Sequence, residues 1–113
     1  MVSVPLRTLE GIKVVAFTQF LLGPAGVQYL SDLGAEVVKV EPPGGAWERH
    51  WSGGELYLNG ESVFFLMAHR NARSIVVDLK TEAGQEIARR LIARSDVLVE
   101  NYRPGVMARF GLD

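Results

Sequence analysis

Cysteine is absent from the 113 residues. Disulfides and thiolate metal sites are excluded with it, and the expected compartment is the cytoplasm. An excess of either charge is also missing. The chain has 12 Lys and Arg against 13 Asp and Glu, a formal net charge of -1, so nothing draws it strongly to nucleic acid or to a membrane surface. No apolar run approaches the ~18 to 20 residues of a membrane-spanning helix. The longest uncharged stretch, Val14 to Ser31, is interrupted by Gln19, Gly23, Pro24 and Gly26. Residues 1–11 have no basic segment followed by an apolar one and a small-residue cleavage site, so no secretory leader is expected. What is present is 48% hydrophobic and 22% charged residues, the balance of one soluble globular domain over 1–113. Charge is unevenly spread: residues 1–61 hold 4 basic and 7 acidic side chains and residues 62–113 hold 8 and 6. The second half is therefore the better place to seek an anionic ligand.

The short β-branched run Ile12–Phe17 predicts a buried strand that ends before Gly23-Pro24. Pro24 suits the first turn of a helix over Ala25–Leu33, with Val27, Leu30 and Leu33 inward and Gly34 as the stop. Glu36–Glu41 predicts a second strand, ended by Pro42-Pro43-Gly44-Gly45. Strand, helix and strand in this span make a parallel βαβ unit. Residues 42–61 hold five of the twelve glycines along with Trp47, Trp51 and Tyr57, and predict a long functional or mobile excursion. Ser62 caps a short helix to about Arg70, Ser74–Leu79 is a third strand, and Thr81 caps a helix to about Arg94 with Ile87, Leu91 and Ile92 inward. Asp96–Glu100 is the fourth strand, and Pro104 opens a last helical turn. The expected core comprises Val14, Val15, Leu30, Leu33, Val38, Val40, Ile75, Val77, Leu91, Val97 and Leu98.

Ligands collect at the carboxyl ends of parallel strands, where helix N-termini converge. Three corners qualify. Thr18–Pro24 follows the first strand but lacks the GxGxxG spacing, which disfavours a dinucleotide, and taken alone it reads as an ordinary turn. At Asp78-Leu79-Lys80-Thr81 a lysine meets a helix start, a position that mildly favours a phosphate, although a solvated Lys80 explains it as well. Asn101-Tyr102-Arg103, with Arg109 beyond, offers two guanidiniums, an aromatic and an amide, and a nucleotide-like anion and a plain surface turn are about equal readings there. His50 and His69 have no companions at metal spacing, so no metal is expected. A Gly-x-Ser-x-Gly elbow is absent.

At these corners the chain resembles the N-terminal part of the family III CoA-transferases, which include formyl-CoA transferase, carnitine CoA-transferases and α-methylacyl-CoA racemase. The resemblance rests on Leu9–Thr18, Gly23-Pro24, Leu33–Gly45, Asn71–Ile75, Val77–Lys80 and Asp96–Gly105, in order. It implies a Rossmann-like α/β domain with a mainly parallel sheet and flanking helices, the coenzyme A binding portion of an interlocked homodimer. It also implies CoA contacts at Leu21, Leu22, Val77, Asp78, Leu79, Lys80, Asn101, Tyr102, Arg103 and Arg109, with acyl-CoA and carboxylic acid substrates and no metal.

Two departures stand out. Many members of the family carry an arginine directly after the acidic residue that ends the second strand, and here that position is Pro42; Arg49 and Arg73 are the candidates to replace it. The family's nucleophilic aspartate matches none of Asp32, Asp78, Asp96 or Asp113, so the resemblance implies a binding fragment that is inactive alone. The alternatives are an acyl-CoA racemase of the same family and a non-catalytic nucleotide-binding or assembly module.

Overall fold

Lys13–Phe17, the apolar run, is β1, buried from Val14 onward. It leads into α1, Leu22–Asp32, and then β2, Glu36–Glu41. In this computed structural model, which describes Val4 and residues 6–113, α1 begins three residues earlier than the periodicity predicts, and Pro24 lies in its first turn. Gly34 ends it with φ 104. Its N–H donates to Ser31 O, and the Ala35 N–H donates to Leu30 O at 3.1 Å, the pair of bonds that satisfies the last carbonyls when the residue after the helix is left-handed.

The excursion after β2 is more ordered than its composition predicts. Single 3-10 turns occur at Trp47–Arg49 and Gly53–Glu55, followed by a hairpin of β3, Tyr57–Leu58, and β4, Glu61–Ser62. Asn59 and Gly60 have φ of 51 and 84, as a two-residue hairpin turn matching strand twist requires. Asn59-Gly60 is the sequence signal for this hairpin, which the reading of residues 42–61 as a long functional or mobile excursion did not use.

Ser62 caps α2, Val63–Ala68, accepting from the Phe65 N–H. β5 is Arg73–Val76, shorter than the expected third strand because the chain leaves the sheet after the Val77 N–H donates to Glu41 O of β2. Thr81 caps α3, Glu82–Ala93, and β6 is Val97–Glu100. α4, Val106–Arg109, starts two residues beyond Pro104, after a left-handed Gly105.

The four long strands make one parallel sheet in the order β5-β2-β1-β6. One face, with Val15, Phe17, Val40, Val77 and Leu79, packs on α3 and α4 through Ala88 and Met107. The other, with Val14, Ala16 and Val37, packs on α1 through Val27. Two expectations are corrected. Val97 and Leu98 are 41% and 37% exposed, because β6 is an edge strand that pairs only with β1. Ile87 is also exposed; the inward stripe of α3 is Gly84, Ala88, Leu91 and Ile92, and Ile87 falls on its flank.

Candidate functional site

The chain order reverses direction across the sheet at β1, with β2 on one side and β6 on the other. In parallel α/β sheets the crevice outside the strand carboxyl ends at such a point receives ligands. Here a cleft of about 740 Å³ occupies that edge. Its walls come from every strand end: Gln19 after β1, Glu41, Pro42 and Pro43 at β2, Val77–Lys80 after β5, and Tyr102 and Arg103 after β6. Val106 and Phe110 of the last helical segment close it.

Six of the residues marked for CoA thus meet in one cleft: Val77, Asp78, Leu79, Lys80, Tyr102 and Arg103. Val77 and Leu79 are buried and form its apolar floor. Asp78 shapes the corner, its carboxylate accepting the Lys80 N–H and its carbonyl accepting from the Thr81 hydroxyl and N–H. Tyr102 is half-buried. Its N–H donates to the Glu100 carboxylate at 2.8 Å, and burial, reinforced by Glu48 and Glu100, pushes its phenol above the ordinary value, so it is a neutral donor at physiological pH. Lys80 and Arg103 are exposed at the rim, and among the described residues neither joins an ion pair.

The remaining four are placed differently. Asn101 braces the site: its amide accepts from the Gln19 N–H and donates to Gln19 O, both at 2.9 Å. Gly23 permits this brace, since a Cβ there would lie 2.7 Å from Asn101 Cγ and 2.8 Å from Thr18. Leu21 and Leu22 are exposed where α1 begins, and Arg109 is exposed on α4; none of the three lines the cleft. Pro43, Val106 and Phe110 line it without having been singled out, while Gln19 belongs to the first strand-end corner and Pro42 is the position of the missing arginine.

Neither arginine proposed to replace the one missing at Pro42 is available. Arg49 grips Glu41 through two hydrogen bonds of 2.7 Å. Arg73 lies at the opposite end of the sheet beside Glu36, 3.4 Å away.

Behind the cleft wall is a buried charge network that spacing did not reveal. Glu41 accepts from Arg49, from the Ala46 N–H at 2.9 Å and from the Ser74 hydroxyl. Lys39 Nζ lies 2.7 Å from Glu48 Oε1, and His69 Nε2 lies 3.2 Å from the same oxygen. His69, read as an isolated histidine, is thus a buried member of the network. Burial alone would raise both carboxyls. For Glu41 the bonds from Arg49, Ser74 and Ala46 more than reverse that, and for Glu48 those from His69 and Lys39 do the same, holding each at about 2. Burial takes the Lys39 ammonium below its usual range despite the opposing pull of Glu48.

Because both carboxyls are depressed from 4.5 to about 2 on folding, their stabilisation is complete above about pH 4.5 and is lost as pH falls toward 2. Circular dichroism during urea unfolding at several acid pH values should show stability dropping across that window. Constant stability through it would show that the carboxyls titrate alike in both states.

The chain is thus a parallel α/β layer with an open cleft and two exposed cations at its strand ends. The chain belongs to CoA-transferase family III, whose model matches residues 9–113. It is 44% identical over 95% of its length to mouse succinyl-CoA:glutarate CoA-transferase and 45% identical over 93% to formyl-CoA:oxalate CoA-transferase of Streptomyces avermitilis. It spans about a quarter of those relatives, 24% and 25%. The crystal structure of a CAIB/BAIF family protein from Brucella suis superposes with TM-score 0.85 at 42% identity, over 94% of this chain and 29% of that one.

Proposed function

We propose that this chain is the CoA-holding part of a CoA-transferase that moves CoA from an acyl-CoA to a carboxylic acid, working as a homodimer in the cytoplasm. The observation that carries the reading is the pair of cations, Lys80 and Arg103, at the rim of the cleft without ion-pair partners among the described residues. In this reading they hold the phosphates of CoA, with Arg109 as a further cation. Tyr102 borders the adenine or the pantetheine arm over the floor of Val77 and Leu79, while Asn101, Leu21 and Leu22 shape the approach. The names of the relatives favour CoA transfer over racemisation.

The aspartates support binding without catalysis. Asp32 is paired with Arg70, Asp96 accepts the Lys13 N–H, and Asp78 is spent on its own turn. Asp113 does not line the cleft, and in this reading none of the four is the nucleophile of covalent transfer.

Calorimetric titration with CoA, dephospho-CoA and pantetheine tests the reading. Loss of one charged hydrogen-bonding partner costs ~1.5 to 3 kcal/mol, so Arg103→Ala should weaken CoA binding roughly ten- to a hundredfold. Lys80→Ala should weaken it less, because an ammonium lacks the two-pronged guanidinium geometry, and Arg109→Ala should act in the same direction. Affinity should fall as salt rises. Equal binding of pantetheine and CoA, or an Arg103→Ala variant that binds like the wild type, removes the phosphate assignment.

A further inference from the structure

We propose that residues 46–62 form a strap docked onto the sheet by the buried negative charge of Glu48, so that neutralising this one carboxylate undocks the strap while the sheet stays folded. Apolar burial does little for this segment. Within the strap only Ala46, Glu48, Ser52 and Ser62 are buried, and of these only Ala46 is apolar; Leu56, Tyr57 and Leu58 are 60%, 47% and 60% exposed. Several of its hydrogen bonds are internal, such as Ser62 Oγ to Trp51 O and Tyr57 Oη to His50 O, and these do not hold it to the sheet.

What ties it outward is charge. Lys39 reaches Glu48 from β2 and His69 reaches it from just beyond α2, while Arg49, next in the strap, holds Glu41 of β2. Both contacts to Glu48 fall on Oε1; Oε2 is buried without a hydrogen-bond partner. One anion thus answers two buried donors through a single oxygen, while the other ring nitrogen of His69 lies 2.8 Å from Phe65 O. Without that anion Lys39, 6% exposed, becomes an ammonium out of water, which is strongly unfavourable. Undocking the strap readmits water at the smallest loss of apolar contact.

The competing anchor is aromatic. Trp47 stacks on Phe20 with centroids 5.1 Å apart, and Trp51 meets Phe64 at 5.3 Å. Yet Phe20, Trp47 and Trp51 remain 39%, 45% and 43% exposed, so these contacts bury only part of each ring.

Amide hydrogen exchange read by mass spectrometry on the protein alone decides between the anchors. In Glu48→Gln, which keeps the shape and removes the charge, exchange across 46–62 should speed up roughly ten- to a hundredfold while β1 and β2 stay protected. In Trp47→Ala, which keeps the charge, the strap should remain protected to within about threefold. Glu48→Asp, which keeps the charge but withdraws the oxygens, replaces the neutral variant if that one does not fold, with the same ordering against Trp47→Ala. The proposal is overturned if Trp47→Ala deprotects the strap as much as the Glu48 change, if strap and sheet open together, or if exchange is unaltered.

Discussion

Gly84→Ala should destabilise the fold by about 1 to 3 kcal/mol, although alanine is the better helix former. Gly84 is the third residue of α3, and a Cβ there would lie 1.9 Å from Asp78 O and 2.6 Å from its carbonyl carbon. The obstacle is backbone, so no rotamer change relieves it; α3 or the Asp78–Thr81 corner must move. Forced overpacking costs ~1 to 3 kcal/mol. The shift also strains the cap, in which Thr81 Oγ1 accepts the Gly84 N–H, worth ~1 kcal/mol. The gain in helix propensity returns ~1 kcal/mol. Urea unfolding monitored by circular dichroism measures the outcome, and stability equal to or above wild type would mean that α3 withdraws freely. Lys80 lies on the corner that must move, so CoA affinity should fall in the same variant.

Glu41→Gln should cost more, about 3 to 5 kcal/mol. The Glu41 side chain is 1% exposed and answers a guanidinium, a hydroxyl and a backbone N–H. Glutamine retains one acceptor oxygen but turns donors toward Arg49 and leaves that cation without its counter-ion. Pairing Glu41→Gln with Arg49→Gln in a double-mutant cycle isolates the interaction, and the double variant should be less destabilised than the sum of the singles. The exposed pair of Arg70 and Asp32 is the internal control, since exposed ion pairs contribute little. Strict additivity of the two glutamine changes would refute a coupled buried pair.

The parts of the fold legible in the sequence are those written locally. Ser62 and Thr81 cap as their side chains suggest, Gly34 stops α1, and the β-branched runs are the strands. Coverage of each face is decided by distant chain, which is why Val97, Leu98 and Ile87 were misassigned to the interior. At the site, the rule that ligands gather at strand ends located Asp78–Lys80 and Tyr102-Arg103, because parallel pairing brings all the strand carboxyl ends to one edge. It could not locate Val106 or Phe110, which reach the cleft through helix geometry. The buried network had one readable sign: Lys39 and Glu41 alternate with Val38 and Val40 in a strand buried on both faces. Their partners, Glu48 and His69, are set by tertiary structure.

The parallel pairing of β1 also sets an order of assembly. Val14 meets Val37, 23 residues along the chain, and Val97, 83 residues along. Loop-closure entropy grows with the logarithm of that separation, so the second pairing starts about 1 kcal/mol behind the first. The unit of β1, α1 and β2 is therefore the inexpensive nucleus, and the Asn101 to Arg103 wall, carried in on β6, is the late arrival that completes the cleft.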